Sequence, residues 1–443
     1  MTREQEYVLR TVEERGVRLI RLWFTDVTGR PKSFAITPVE LETAFEEGMH
    51  FDGSSIDGFS RVQESDVLAL PDASTFELLP WLSSDENSAR MFCDIETVGG
   101  EPFAGDSRHV LRRNLRAAHE LGYTFMCAPE MEFFYFADGR PDRVPEPLDS
   151  GSYFELTTAD MANDLRRRTI QTLETMGIPV EYSFHEDSPS QHEIDLRYTN
   201  ALEMADNIVT LRLVVKELAQ ERGVYATFMP QPLAGVQGSG MHTHMSLFDG
   251  ERNVFHDPET GDLSSEARCF IAGLLVHSRE ITAVTNQLVN SYKRLIVGTE
   301  APTSVSWAHN NRSALVRVPV TKQGKQSSTR IEYRAPDPAC NPYLAFSVML
   351  NAGLRGIEKN YELPVEAAEN LFELSDSERR DLDIVSLPQS LAEALEVMET
   401  SELVAETLGD HIFEWFLKNK RTEWNAYKAQ VTPFELAQYL PNW

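Results

Sequence analysis

The run APEMEFFYF, residues 128–136, places two glutamates, Glu130 and Glu132, inside an apolar and aromatic stretch. Its aromatic residues favour extended backbone, and in a strand residues two apart share a face. Glu130 and Glu132 therefore project side by side. Alone, such a pair reads as the wet face of a half-buried strand. Two carboxylates beside apolar neighbours are costly, however, unless a cation neutralises them.

The pattern recurs three times. In SFHEDSPSQHEIDL, Gln191, Glu193 and Asp195 alternate with His192, Ile194 and Leu196, and Glu186 lies just upstream. In GSGMHTHMSLF, His242, His244 and Ser246 share one strand face. In TRIEYRAPD, Arg330, Glu332 and Arg334 share another. Four strand-like segments thus each present acid, imidazole or guanidinium in apolar surroundings. Buried acids need partners, so these rows are expected to meet around a divalent metal. Carboxylate oxygens with imidazole suit Mg²⁺ or Mn²⁺ better than zinc. On the residues alone, His244 is a candidate ligand beside His242.

The net charge is −28. A surface this acidic repels nucleic acid and anionic membranes. Between Lys293 and Arg334 the balance reverses: Lys293, Arg294, Arg312, Arg317, Lys322, Lys325, Arg330 and Arg334 face only Glu300 and Glu332. Such an island reads as a solvated basic face or as a site for a small anion; guanidinium forks suit phosphate and carboxylate. Metals with arginines imply phosphoryl transfer. Neither a G-x-x-x-x-G-K-[ST] loop nor a kinase signature set is present.

The chain has 443 residues, enough for two domains, and 42% of them are hydrophobic. Its charged N-terminus is unlike a signal peptide, and no apolar run reaches membrane-spanning length. The four cysteines, Cys93, Cys127, Cys269 and Cys340, form no CxxC pair and read as reduced thiols. A cytoplasmic location is expected. A helix ending at Gly16 leads into two strands joined at Thr28-Gly29. The glycines and serines of FEEGMHFDGSSIDGFSRVQESD mark a loop. Asp106 reads as the N-cap of a helix opening a second unit, which gives an N-terminal domain over 1–104 and a larger one over 105–443. Strands are expected near 124–136, 179–184, 191–197, 225–232, 240–248, 315–320 and 329–334. Helices are expected near 159–177, 201–222, 264–285, 342–358 and 389–406. Thr432 to Glu435 reads as a capping box.

Taken together, FDGSSIDGF, APEMEFF, HEDSPSQHEID, GSGMHTHMSLF, VNSYKRLIVGTEAP, NNRSALVRVP and RIEYRAPDPACNPYLAF resemble type I glutamine synthetase over almost the whole chain. The resemblance implies an α+β fold: a small N-terminal β-grasp-like domain and a catalytic domain with a curved antiparallel sheet, or half-barrel, flanked by helices. It implies an ATP-dependent ligase that joins ammonia to the γ-carboxylate of L-glutamate through γ-glutamyl phosphate. Two metals map onto two triads, Glu132–Glu186–Glu193 and Glu130–His242–Glu332. By resemblance His244 falls to the ATP side, with Glu181, Ser246 and Arg330. Arg294 and Arg334 match glutamate contacts, with Gln237 and Gly238 beside them. Arg312 and Arg317 match contacts to the transferred phosphate. Glu300 matches the flap acid that shields the acyl phosphate. Asp52, with Ser55 nearby, matches the acid that draws in ammonium, and Tyr153 an aromatic wall of that pocket. The family's sites lie between subunits, which implies a homo-oligomer of two six-membered rings, a dodecamer.

Some positions depart from the family pattern. Gln237 replaces a usual Asn, Thr299 a common Tyr, Phe184 a usual His and Glu155 a small or prolyl residue, and Asp187 and Ser190 occupy the usual VAPG stretch. Asp187 and Glu155 bring negative charge toward the acceptor, which keeps open a γ-glutamyl ligase using a polyamine or another amine. Phe372 stands at the position of the tyrosine that many bacterial members adenylylate. Arg61 matches an arginine tied to glutamine feedback.

Overall fold

The structure, a computed structural model, describes residues 1–58, 66–81, 87–156, 158, 161–296, 301–309, 311–321, 324–367 and 385–443. Glu300, Thr299, Arg61 and Phe372 lie outside the described residues.

The helix Arg3–Arg15 is held at both ends: Thr2 and Gln5 form a capping box, and Gly16 closes the last turn in the left-handed region (φ 61°). Strands β1 (Leu19–Thr25), β2 (Pro31–Ile36), β3 (Met49–Asp52), β4 (Asp66–Pro71), β5 (Glu77–Leu78) and β6 (Ser88–Thr97) follow. They form a sheet of order β2-β1-β6-β4-β3, with β5 also on β6. β1 runs antiparallel to β2 and parallel to β6, as in a β-grasp domain. Ile20, Leu22, Phe24, Ala69, Met91 and Ile95 pack in one cluster with Val8 and Val12 of the first helix. The loop expected around Asp52 is in part a strand: Met49–Asp52 pairs with β4, with Asp52 opposite Asp66. Glycines after Asp52 masked the period-2 signal of MHFD.

A second sheet contains β7 (Thr124–Phe136), β8 (Val180–His185), β9 (Gln191–Leu196), β10 (Thr199–Asn200), β11 (Tyr225–Thr227), β12 (Met241–Asp249), β13 (Arg252–Asn253), β14 (Trp307–His309), β15 (Val316–Val318) and β16 (Ile331–Tyr333). Its main path is β14-β15-β16-β12-β7-β9-β8. The strand expected over 225–232 stops at Thr227; Pro230 and Pro232 follow and offer no N–H to a ladder. Along β12, Met241, Thr243, Met245 and Leu247 are buried while His242, His244 and Ser246 are half-buried. The buried face belongs to a large core with the helices Ala201–Glu221, Ser265–Thr285 and Pro342–Lys359. The helix expected over 389–406 is two, Leu391–Glu399 and Glu402–Leu408. Ser401 causes the break: its hydroxyl caps Val404 N–H and donates to Glu280. Asp106 caps Ser107–Glu120 and Thr432 with Glu435 forms the expected box. All four cysteines are free. No helix among the described residues is long and apolar enough to cross a membrane.

The two sheets are tied by Arg108, which pairs with Asp72 (2.9 Å) and Asp94 (2.7 Å) of the first unit and Asp206 (2.9 Å) of the second. The hairpin turn docks through Gly29 (φ 79°), where a Cβ would stand 2.7 Å from Asn341 Cα.

The helices Ser265–Thr285 and Pro342–Lys359 meet through glycine: a Cβ on Gly273 would lie 2.1 Å from the Ala352 carbonyl oxygen. Gly273→Ala is therefore expected to cost about 1–3 kcal/mol through overpacking. A lowered urea midpoint would register the loss, and an unchanged midpoint would contradict the close approach.

Candidate active site

Strand register assembles the polar rows. Across the sheet Arg317 stands opposite Glu332, Glu332 opposite His244, His242 opposite Glu130, Glu130 opposite Asp195, and Glu132 opposite Glu193. Residues directly opposite in a ladder have Cβ atoms roughly 4.5–5.5 Å apart, close enough for their side chains to meet one ion or substrate. The face opens into a cavity of about 430 Å³, lined by Glu130, Glu132, Glu186, Glu193, His242 and Arg334, among others.

At its centre the Glu130 carboxylate meets His242 Nδ1 (3.2 Å) and His244 Nε2 (2.8 Å). Burial opposes its charge, but these imidazole hydrogen bonds hold Glu130 well below the usual carboxylate range. Burial, then the cationic Arg334, pushes His242 down to about 4, so its ring is neutral. Glu332 is fully buried and pairs with Arg334 (2.5 Å) and with Arg317 Nε. One donor atom each from Glu130, His242 and Glu332 fall within 4.8 Å of one another.

The neighbouring acids are less well neutralised. Burial, then Glu186, raises Glu132 to about 8. Burial, then Asp195, raises Glu193 well above the usual range. Asp195 itself is pushed up to about 7, first by burial. Glu132 accepts from Gly240 N–H (2.9 Å) and Gln191 Nε2 (3.0 Å), which fixes its orientation. Acids held protonated only by burial and mutual repulsion are suited to exchange protons for a divalent cation, and oxygen donors with one imidazole fit Mg²⁺ or Mn²⁺ chemistry.

A second cluster lies behind this face. His185 Nε2 is 3.1 Å from Asp149 Oδ1, and His185 Nδ1 is 2.6 Å from the Glu186 carbonyl. Asp149 also accepts from Ser190 N–H (2.8 Å), which steadies Ser190 in the left-handed region (φ 59°). Asp149, His185 and His192 have ligand atoms within 4.8 Å of one another. Their hydrogen bonding does not suit a metal: Arg166 donates to His192 Nδ1 (2.8 Å), so His192 keeps its proton on Nε2. The cluster instead braces the turn between β8 and β9 that carries Glu186.

The structure brings Glu130, Glu132, Glu186, Glu193, His242, Tyr153, Gln237, Gly238, Arg294, Arg312, Arg317 and Arg334 to one cavity. Asp52 and Ser55 are exposed on the N-terminal unit and do not line it. Glu181 is exposed on β8, and Arg330 donates to the Ser328 carbonyl (3.2 Å). Ser246 shares the His242 face of β12. Asp187 lines the cavity and Glu155 does not. Asp195 carries the same period-2 signal as Glu193 and lines the same cavity. Asp149, distant in sequence from His185, left no local signal.

Two family models match the chain. One, described as glutamine synthetase, beta-Grasp domain, matches residues 16–97; the other, glutamine synthetase, catalytic domain, matches 104–439. A glutamine synthetase of Mycolicibacterium smegmatis is 58% identical over 99% of this chain and 100% of its own length. A solved structure titled GmaS/ADP complex is 30% identical, with a TM-score of 0.88 over 98% of this chain and 99% of that one. The cryo-EM structure of Plasmodium falciparum glutamine synthetase, 24% identical, shares the fold, with a TM-score of 0.90 over 98% of both chains.

Because Glu132 is raised to about 8, its proton stabilises the metal-free protein at low pH. That contribution is complete below the ordinary carboxylate range and is lost as pH rises through about 8. Binding Mg²⁺ or Mn²⁺ at neutral pH should therefore release protons. Calorimetry in buffers of different ionisation enthalpy should find a smaller release for Glu132→Gln than for the unaltered protein; equal release would contradict the assignment.

Proposed function

The chain belongs to the glutamine synthetase family, and from that premise we propose that it ligates ammonia to the γ-carboxylate of L-glutamate at the expense of ATP. A γ-carboxylate oxygen attacks the γ-phosphorus of ATP and ADP leaves. Ammonia then attacks the acyl carbon, and phosphate leaves with the C–O bonding pair. The observation that carries this reading is the cross-strand assembly in which Arg317, His242, Glu130, Glu132 and Glu193 line one cavity, with Glu332 buried behind them opposite Arg317 and His244.

Two divalent cations, Mg²⁺ or Mn²⁺, would be held by Glu130–His242–Glu332 and by Glu132–Glu186–Glu193. When bound they neutralise phosphoryl charge. Arg312 and Arg317 receive the transferred phosphate, and Arg294 and Arg334 orient glutamate beside Gln237 and Gly238. Glu181, His244, Ser246 and Arg330 serve ATP. His244 also bonds Glu130 (2.8 Å), which ties the nucleotide side to the metal side. Ammonium is not a nucleophile, so Asp52, with Ser55, draws it in and helps remove a proton beside the Tyr153 wall. Glu300, which lies outside the described residues, shields the acyl phosphate from water.

Asp52 and Ser55 stand outside the cavity formed by their own chain, which supports a site completed by a neighbouring subunit in a dodecamer of two hexameric rings. The smaller hydrophobic cluster, confined to residues up to Phe103, supports a domain division at 104/105, while Trp23, Val27, Leu79 and Phe92 pack the first unit onto the larger cluster. The free cysteines support a cytoplasmic location.

One observation favours a second reading, a γ-glutamyl ligase with a larger amine: Asp187 lines the cavity with Tyr153, Phe154 and Phe184. An acid beside aromatic rings suits an extended cation. The deciding measurement is kcat/KM for ammonium and for spermine. Ammonium should be strongly preferred, and a spermine value far above it would overturn the leading acceptor. Asp52→Ala should raise the ammonium KM and lower kcat, a loss on the order of 2–5 kcal/mol.

Assembly is tested by mixing inactive Asp52→Ala and inactive Arg334→Ala chains. Partial activity should return where mixed oligomers form; none would count against a shared site.

A further inference from the structure

Beneath the Thr28–Gly29 turn lies a second cavity of about 380 Å³ that shares no lining residue with the acidic one. Arg30, Arg212, Lys216 and Lys420 line it, and no carboxylate does. On a chain of net charge −28 this is an unusual local excess. Lys420 is answered by Glu423 (3.0 Å), but no ion pair is formed by Arg30, Arg212 or Lys216 among the described residues.

The cavity wall is built rather than splayed. Arg212 donates to the Cys340 carbonyl (2.9 Å), while its Nε is buried with no acceptor. Gln287 is 2% exposed; its Nε2 is spent on the Thr28 and Ala339 carbonyls, and its Oε1 has no partner. Lys216 Nζ lies 5.8 Å from the centre of the Phe228 ring, which is buried and gives the cavity an apolar side. Solvent reaches Lys216, yet partial desolvation and then the guanidinium groups of Arg212 and Arg30 lower its pKa. The buried Asp337 favours the charge of Arg212 and Glu423 that of Lys420, but Arg30, Arg212 and Lys216 make no ion pair among the described residues, and cations that repel one another gain from an anion between them.

We propose that this cavity binds a small anion of at least two negative charges, a phosphate monoester or a dicarboxylate, whose apolar part rests on Phe228. Arg212 and Arg30 supply guanidinium forks and Lys216 a point charge. The site joins the N-terminal hairpin to the helix Ala201–Glu221, so an anion held there bridges both units.

The probes are inorganic phosphate and succinate. Lys216 of the full assembly is acetylated with an N-hydroxysuccinimide ester, and its labelling rate is read by mass spectrometry of the peptide that contains it. At a probe concentration four times its Kd, labelling should slow about fivefold, the factor 1 + [L]/Kd. Chloride at matched ionic strength should give no such protection. Arg212→Gln and Arg30→Gln should each cut the protection, and the exposed position of Arg30 keeps the second variant folded if the first is not. Protection by phosphate alone identifies a phosphate site, by succinate alone a carboxylate site, and by both a site selecting charge. Protection by neither probe beyond that of chloride, or full protection in the folded variants, overturns the proposal.

Discussion

Repulsion among buried carboxylates governs this protein. Two unit charges 4 Å apart interact by about 4 kcal/mol at an effective dielectric of 20, and Glu130, Glu132, Glu193, Asp195 and Glu332 crowd one sheet face. They cannot all be ionised there without cations. Glu332 is answered by Arg334 and Arg317, and Glu130 by two imidazoles. Glu132 and Glu193 keep their protons instead, through burial and then through Glu186 beside the first and Asp195 beside the second. The site is thus already divided into a neutralised half and a half in which the Arg294 guanidinium only partly offsets the acids. A divalent cation completes the second half at the cost of protons, and the opposite sheet face, packed with Met131, Phe133, Met241 and Met245, prevents the acids from turning away.

A strand face suits this task better than a helix or loop. Register fixes each acid opposite its counterpart, and a slip of one residue would send the whole row into the core. Glu186 is the exception, since it follows the end of β8, where its N–H donates to the Gln191 carbonyl (2.8 Å) at the start of β9. The braces behind it take over that role: the Glu186 carbonyl is bound by His185, His185 by Asp149, and Asp149 by the backbone of Ser190. These bonds hold the turn on which Glu186 sits.

These relations explain what could be seen in the sequence. Period-2 rows of acid, imidazole or guanidinium in apolar surroundings announced β7, β9, β12 and β16 and the side chains that share a face on each, because side-chain alternation is a local property. Helices with a clear capping residue, such as Ser107–Glu120 behind Asp106, were equally legible. Long-range partnership was not. Nothing in a single segment links Asp149 to His185, or Glu332 to Arg317 across a sheet. The helix pair broken at Ser401 read as one because the apolar period continues through it; only the packed Glu280 made the cap decisive. Asp52 was found by motif, while its strand was hidden by the glycine that follows.

Asp52 stands apart from the cavity of its own chain. The cavity of one chain contains groups suited to metal, phosphate and a carboxylate substrate, yet the acid assigned to ammonium stands exposed at the end of β3 in the other unit. An acyl phosphate is vulnerable to water from the moment it forms. If the base that readies ammonia is delivered only by a seated neighbour, then the wall that excludes water and the group that supplies the nucleophile arrive together. Under this reading a lone chain lacks both, and oligomerisation is itself part of the chemistry. The same logic assigns weight to the N-terminal hairpin, whose turn is pinned by Gly29 against Asn341 and by Gln287 against the Thr28 carbonyl. A hairpin pinned so closely to its own catalytic unit holds the N-terminal sheet, and with it Asp52, at a fixed distance from any neighbouring site it serves.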